Sequence, residues 1–134
     1  MPKEENIKAL MVLPGQHPCI TILKNDLDSL QKAVSIGSYY QGLIEVIDLG
    51  DNVCLICNEE AKLISLVGNR RIGNDIIAGV FYIVGTDDDG NFASLSQDEI
   101  NKYGLHFWEP EAFTEKEVAD SVWMEFHEIL DAND

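Results

Sequence analysis

"CNEEAKLISLVGNRRIGNDIIAGVFYIVG" runs from Cys57 to Gly85. It decides the fold, because it holds the most apolar run in the chain, Ile76–Val84. A run of that length, rich in β-branched and aromatic residues, predicts a central strand buried on both faces. Just before it, "VGNRRIGND" (Val67–Asp75) carries two glycines and two asparagines and predicts a loop. "NEEA" (Asn58–Ala61) turns the chain into Lys62–Leu66.

Working outward toward the N-terminus, "GLIEVIDLGDNVCLICN" (Gly42–Asn58) predicts a hairpin. Its strands are Leu43–Leu49 and Val53–Asn58, with "GDN" as the turn. Ile7–Leu13 and Cys19–Leu23 predict another hairpin, interrupted by Pro14 and Gly15. Asn25 or Asp26 caps a short helix with Leu27, Leu30 and Val34 on one face, and Gly37 stops it.

Outward in the other direction, "DDDGN" (Asp87–Asn91) predicts an Asp-Gly turn, after which Phe92–Leu95 pairs back briefly. The chain then switches to helices. Ser96 is an N-cap, Glu99 closes the capping box, and Leu95 with Ile100 forms a hydrophobic staple. Gly104 is expected to end that helix. Phe113, Thr114, Glu117 and Val118 repeat the same logic for a second helix, expected from about Glu115 to Leu130. On a 3.6-residue wheel its apolar arc holds Val118, Ala119, Val122, Trp123, Phe126, Ile129 and Leu130. Glu117, Asp120, Glu128 and Asp131 fall on the other side, with Met124 among them. The expected fold is α+β in one domain, residues 1–134. A small, mostly antiparallel sheet of hairpins carries one short helix after strand 2 and two C-terminal helices packed on it.

Charge narrows the function classes. The formal net charge is −15, and residues 87–134 hold 14 acids against 2 bases, a net of −12. That sign argues against direct binding to a nucleic-acid backbone or to an anionic membrane. It suits solubility, or a surface that meets a basic partner. No run approaches the roughly 20 apolar residues that span a bilayer, and the polar start does not resemble a signal peptide. Three cysteines fit a reducing compartment. The expected location is cytoplasmic.

Common catalytic and metal signatures fail on inspection. Cys54 and Cys57 form C-x-x-C, but on one strand residues i and i+3 point to opposite faces. They are expected to be structural. A calcium loop starting at Asp87 needs Gly and Glu where Phe92 and Asp98 stand. Gly68 and Gly73 have P-loop spacing, but Asn74 and Asp75 follow in place of Lys and Ser or Thr. His17, His106 and His127 are scattered, and no nucleophile motif appears. No metal, no cofactor and no enzymatic activity are expected.

Arg70 and Arg71 are the only two arginines of the chain. The first reading has them brace a loop against neighbouring carboxylates. The alternative is a site for a small anionic or nucleotide-like ligand, built from Asn58, Asn69, Arg70, Arg71 and Asn74.

The quoted stretch also resembles a family. Leu10–Gly15, Gly42–Leu49, Ile56–Leu63, Asn69–Arg70 and Asp75–Gly85 follow, in order, the pattern of an uncharacterised small-domain family of phages, conjugative elements and Firmicutes. Its hallmark is I-C-N-E-E-x-K-L, an N-R loop and D-I-I-A-G-x-F-x-I-V-G. The resemblance covers about residues 7–107, with an acidic extension from about Trp108. It implies a fold and a mobile-element setting, and no catalytic residues carry over. The functional expectation is therefore a non-enzymatic accessory protein that binds a basic host protein through Glu117, Asp120, Met124, Glu128 and Asp131. In its narrow form the acids mimic DNA phosphates, as in an anti-defence inhibitor.

Overall fold

A computed structural model of the chain describes residues 3–64 and 66–121. The first hairpin pairs β1 (Asn6–Val12) with β2 (Cys19–Lys24), antiparallel, Asn6 opposite Lys24 and Met11 opposite Cys19. Helix α1 (Leu27–Ala33) follows, and the Asp26 carboxylate accepts from the Ser29 amide at 2.8 Å. That is an N-cap, satisfying a donor the helix itself cannot reach. Leu30 and Val34 are buried as expected, but Leu27 is exposed. In the first helical position its side chain leans back beyond the helix start. The helix ends at Val34, before Gly37.

The second hairpin is β3 (Ile44–Gly50) and β4 (Val53–Asn58). Its turn residues Asp51 and Asn52 both have positive φ, 53° and 61°. That is the primed turn whose twist suits a hairpin, and short Asx side chains tolerate it. Residues 59–64 then form consecutive turns.

Two expectations fail at the decisive stretch. Val67–Asp75 is not a loop: β5 (Gly68–Ile72) and β6 (Asp75–Ala78) form a separate two-stranded sheet. Ile72 sits opposite Asp75, so only Gly73 and Asn74 turn the chain. Gly73 at φ +58° supplies the left-handed first turn position, and the remaining polar residues are strand. Nor is Ile76–Val84 one strand. Gly79, at φ +74°, breaks it, and β7 (Phe81–Thr86) begins in the larger sheet. The run is buried throughout, as its composition demanded, but it serves two sheets.

The larger sheet has the order β2-β1-β7-β4-β3, with β8 (Phe92–Ala93) pairing the end of β7. Every pairing is antiparallel. Alternation along the strands makes two cores. Leu10, Val12, Leu55, Phe81 and Ile83 meet Ile100, Tyr103 and Phe107 from α2 (Gln97–His106) and its cap. On the opposite face Ile7, Ala9, Ile56, Tyr82 and Val84 meet Leu30 and Val34 of α1. The Tyr82 hydroxyl donates to the Ala33 carbonyl at 3.0 Å, tying the last turn of α1 to the central strand.

The capping box of α2 is present in both directions: Glu99 N–H donates to Ser96 Oγ at 3.2 Å, and Ser96 N–H to Glu99 Oε1 at 2.8 Å. Its staple residues Leu95 and Ile100 are buried together. Gly104 does not end the helix, which continues to His106. A helical glycine costs only about 1 kcal/mol, and burial of Tyr103 and Phe107 on either side outweighs it. Thr114 and Glu117 make the second box at 3.1 and 3.0 Å, opening a third helix, α3 (115–121). Its Val118 packs on Ala61, Ile76 and Ala78, so α3 covers the small sheet while α2 covers the large one. The part of this helix expected after Ser121 lies outside the described residues.

Candidate functional site

Asn69 and Arg70 stand side by side at the junction of the two sheets, 0% and 1% exposed. Asn69 Nδ2 donates to the carbonyls of Val12 and Gly79, each at 2.8 Å. Arg70 Nε donates to the Phe107 carbonyl at 3.1 Å, and Nη2 to the Gln16 carbonyl at 2.6 Å. Nη1 reaches both the carbonyl and the Oδ1 of Asn69, at 3.1 and 2.8 Å. The brace is real, but its acceptors are carbonyls and not the carboxylates expected. Burial lowers the guanidinium pKa, and Glu111 partly offsets that. Arginine nevertheless stays charged. Phe107 is the C-cap of α2, so the cation also faces the negative end of a helix dipole. This knot joins the end of β1, the β1–β2 loop, the small sheet and the end of α2.

Arg71 is exposed. Its amide donates to Glu111 Oε2 at 2.9 Å, and its guanidinium lies 5.6 Å from the centre of the Phe113 ring. Asn74 is exposed at the tip of the small hairpin. Asn58 lies at the end of β4, 3% exposed, and its Oδ1 accepts from the Glu60 amide at 2.9 Å. With the oxygen so engaged, the other amide atom is the donor Nδ2. Among the described residues Nδ2 is the buried side-chain polar atom left without a partner. A Cβ at Gly42 would stand 2.7 Å from it, so only glycine fits there. The five residues proposed for one ligand site do not form one cluster: Asn69 and Arg70 form the knot, Arg71 and Asn74 stand exposed on the small hairpin, and Asn58 lines a cleft beside β4.

The structure instead opens a cleft of about 180 Å³ between β3, β4, the turns after β4 and β6. Cys57, Ala61, Ile76, Ile77 and Ala78 give it apolar walls, and Glu45, Glu59, Lys62 and Asp75 its charges. Lys62 Nζ forms an ion pair with Asp75 Oδ1, the two side chains 14% and 29% exposed. Asp75 Oδ1 also accepts from the Ile76 amide at 2.8 Å. Glu45 sits opposite Cys57 on the edge strand, on the cleft side of the sheet. Desolvation raises the pKa of its carboxyl, Asp75 raises it further, Lys62 partly offsets this and Glu59 adds to it. None of Glu45, Lys62 and Asp75 was singled out in the sequence. They lie 13 to 30 positions apart and belong to no motif, so only the pairing of strands brings them together.

Cys54 and Cys57 are both buried, in different cores, as the strand reading required. Burial, with the charge of Asp48 adding, pushes the Cys54 thiol up to about 11. "DDDGN" is an Asx-type turn in which Asp87 Oδ1 accepts from the amides of Asp89 and Asn91, each at 2.9 Å. Among the described residues no group of His, Cys, Asp and Glu has metal-site geometry. No helix among them is long and apolar enough to cross a membrane.

Of the expected partner surface, Glu117 and Asp120 are exposed. Glu117 spends one oxygen on its capping box, which lowers its pKa, and Asp120 pairs with Lys116 at 2.8 Å. Met124, Glu128 and Asp131 lie outside the described residues. Asp88, Asp98, Glu109, Glu111 and Glu115 are exposed as well, so exposed acids reach beyond the helix named from the sequence.

Residues 7–107 match a family model described as Domain of unknown function (DUF3846). That bears out the expectation of an uncharacterised family. No curated protein and no solved structure matches the chain.

Proposed function

The chain belongs to the DUF3846 family of domains of unknown function, and from that premise we propose that it is a non-enzymatic accessory protein that binds a basic protein. One observation carries the reading: the net charge of −12 in residues 87–134, with the acids named above standing exposed along 88–120. Such a surface raises the encounter rate with a positive partner and repels nucleic acid. The sequence resemblance adds a phage or mobile-element setting, in which the partner is a host protein. In the narrowest form, carboxylates on and before α3 take the places of DNA phosphates in a basic groove of a defence protein. The ligand reading of the Arg70–Arg71 loop draws no support from the geometry, because the Arg70 guanidinium is spent on carbonyls.

Native mass spectrometry of the chain, isolated from its host at low ionic strength, tests this. The expected result is a co-purifying basic protein that salt releases steeply. It should be lost from a variant carrying Glu109→Gln, Glu111→Gln, Glu115→Gln and Asp120→Asn. A chain that emerges bare, or a partner retained by that variant or indifferent to salt, overturns the proposal.

A further inference from the structure

We propose that β2, a free edge of the larger sheet, pairs with the β2 of a second copy of this chain. The two strands join antiparallel about a twofold axis, so that one sheet continues across both molecules. The contact uses none of the acids of the C-terminal third, so either proposal can fail alone.

β2 and β3 are the two ends of the main strand order, and their chemistry differs. β3 carries Glu45 and Asp48, and its register shifts between Asp48 and Gly50. Charges and bulges are what keep an edge from pairing with another chain. β2 has no such guard. From His17 to Asn25 the chain holds no acid, and the register of β2 with β1 is unbroken. Ile20 and Ile22 are 54% and 60% exposed. In a chain of net charge −15, an edge without carboxylates lets a copy approach without setting like charges against each other.

The backbone fits the same partner. The Asn25 amide donates to the Glu5 carbonyl at 2.8 Å, which fixes the phase of the antiparallel ladder. Cys19, Thr21 and Leu23 turn their peptide groups toward β1, and Ile20, Ile22 and Lys24 turn theirs outward. Of these outward groups, the Lys24 carbonyl already accepts from the Asp26 amide at 3.0 Å. One register uses all the others. It sets Thr21 opposite Thr21 of the copy, Ile20 opposite Ile22, and Pro18 opposite Lys24. Each Ile20–Ile22 pair exchanges two backbone bonds. At each end the Lys24 amide donates to the Pro18 carbonyl. The return bond leaves nothing unsatisfied, because Pro18 has no N–H and the Lys24 carbonyl is taken. The isoleucines of both copies then cover one another on the face that Leu10 shares with α2. Thr–Thr and apolar pairs are favourable cross-strand neighbours, and Lys24 meets no like charge. One patch that complements itself in this way is the isologous contact of a twofold dimer.

Sedimentation velocity of the full chain over a concentration series tests this. A concentration-dependent dimer is expected. It should tighten as salt rises, because screening weakens the repulsion between two acidic copies. That response is opposite in sign to the release by salt expected of a basic partner. Ile20→Lys with Ile22→Lys sets lysines opposite lysines and should leave only monomer. Mixing that variant with Ile20→Glu, Ile22→Glu should restore a dimer of the two variants together. Ile22→Pro removes an outward N–H and no bond within the chain, and should weaken the dimer at least tenfold. Thr21→Cys in a Cys19→Ser background checks the register. Residues at a non-hydrogen-bonded antiparallel site lie about 4.5 Å apart, within the Cα range of a disulfide. The introduced thiols should therefore link two copies on oxidation, whereas the native Cys19, opposite Leu23, should not. A chain that stays monomeric at every concentration, bare or holding a strand of another protein on this edge, overturns the inference. So does a dimer that the lysine variant keeps, or one that Thr21→Cys does not link. Circular dichroism separates loss of pairing from loss of fold, and Ile22→Pro decides the matter should the lysine variant not fold.

Discussion

The Arg70 knot and the Lys62 cleft each place a cation where water hardly reaches, and they solve the problem in opposite ways. At the knot every guanidinium nitrogen has an acceptor, and those acceptors belong to the adjacent Asn69 and to the distant Gln16 and Phe107. At the cleft a lysine pairs with an aspartate, and two further carboxylates line an open volume. The first arrangement is complete as it stands and can only hold the fold. The second is incomplete and has room. Buried charge alone therefore does not mark a functional site. What separates the two is whether donors and acceptors balance inside the chain.

The comparison can be broken most forcefully at Arg70. Arg70→Met should cost about 3–5 kcal/mol, because it strands the buried carbonyls of Phe107 and Asn69 and the part-buried one of Gln16. Urea unfolding measures it, and a loss below about 1 kcal/mol would mean that the knot holds little. Asn69→Ala comes next, at about 2 kcal/mol, since it removes both carbonyl bonds and the acceptor for Arg70 Nη1. The two losses should fall short of additive, because the residues share one network.

At the cleft the effects should be smaller. Lys62→Met should cost roughly 1 kcal/mol, the scale of a partly exposed ion pair. A loss as large as that of Arg70→Met would make the cleft a second structural knot. Glu45→Gln should do the opposite and stabilise slightly, by a fraction of a kcal/mol, because solvent screens an edge-strand carboxylate. The sign follows from linkage. A raised carboxyl pKa means that the folded state holds its proton more tightly than the unfolded state, so charging Glu45 costs stability. The gain from the substitution is full above the raised pKa and vanishes as pH falls below the ordinary glutamate value. Thermal melts of both proteins across that window check it, and a gain that grew on acidification would refute the assignment.

Much of the fold was legible because it rests on local chemistry. The two helix starts of the C-terminal third, at Ser96 and Thr114, each satisfied every position of a short-range rule, and both boxes are made. The β1–β2 and β3–β4 hairpins followed from alternation and turn residues in the same way. The decisive stretch was misread where a local rule had two outcomes. Two glycines and two asparagines can be a long loop or a two-residue turn with its flanks. Gly79 can sit in a strand or break it. What chose was the space beneath: Asn69 bonds to Val12 and Gly79 only if the chain bends there, and a Cβ on Gly79 would come within 2.9 Å of Leu66. Gly104 was misread for a similar reason, since the burial of Tyr103 and Phe107 carries the helix past it.

The sequence by itself determined the class of fold, the burial of Ile76–Val84, the helix caps, the opposed faces of Cys54 and Cys57, and the acidic C-terminal third. These depend on residue type and spacing over a few positions. The tertiary structure alone decided that Arg70 is spent on carbonyls, that Asn58, Arg71 and Asn74 stay outside the knot of Asn69 and Arg70, and that Glu45, Lys62 and Asp75 line one cleft. Those outcomes depend on which strands pair and which polar groups are desolvated together, and neither is encoded in any short stretch of chain.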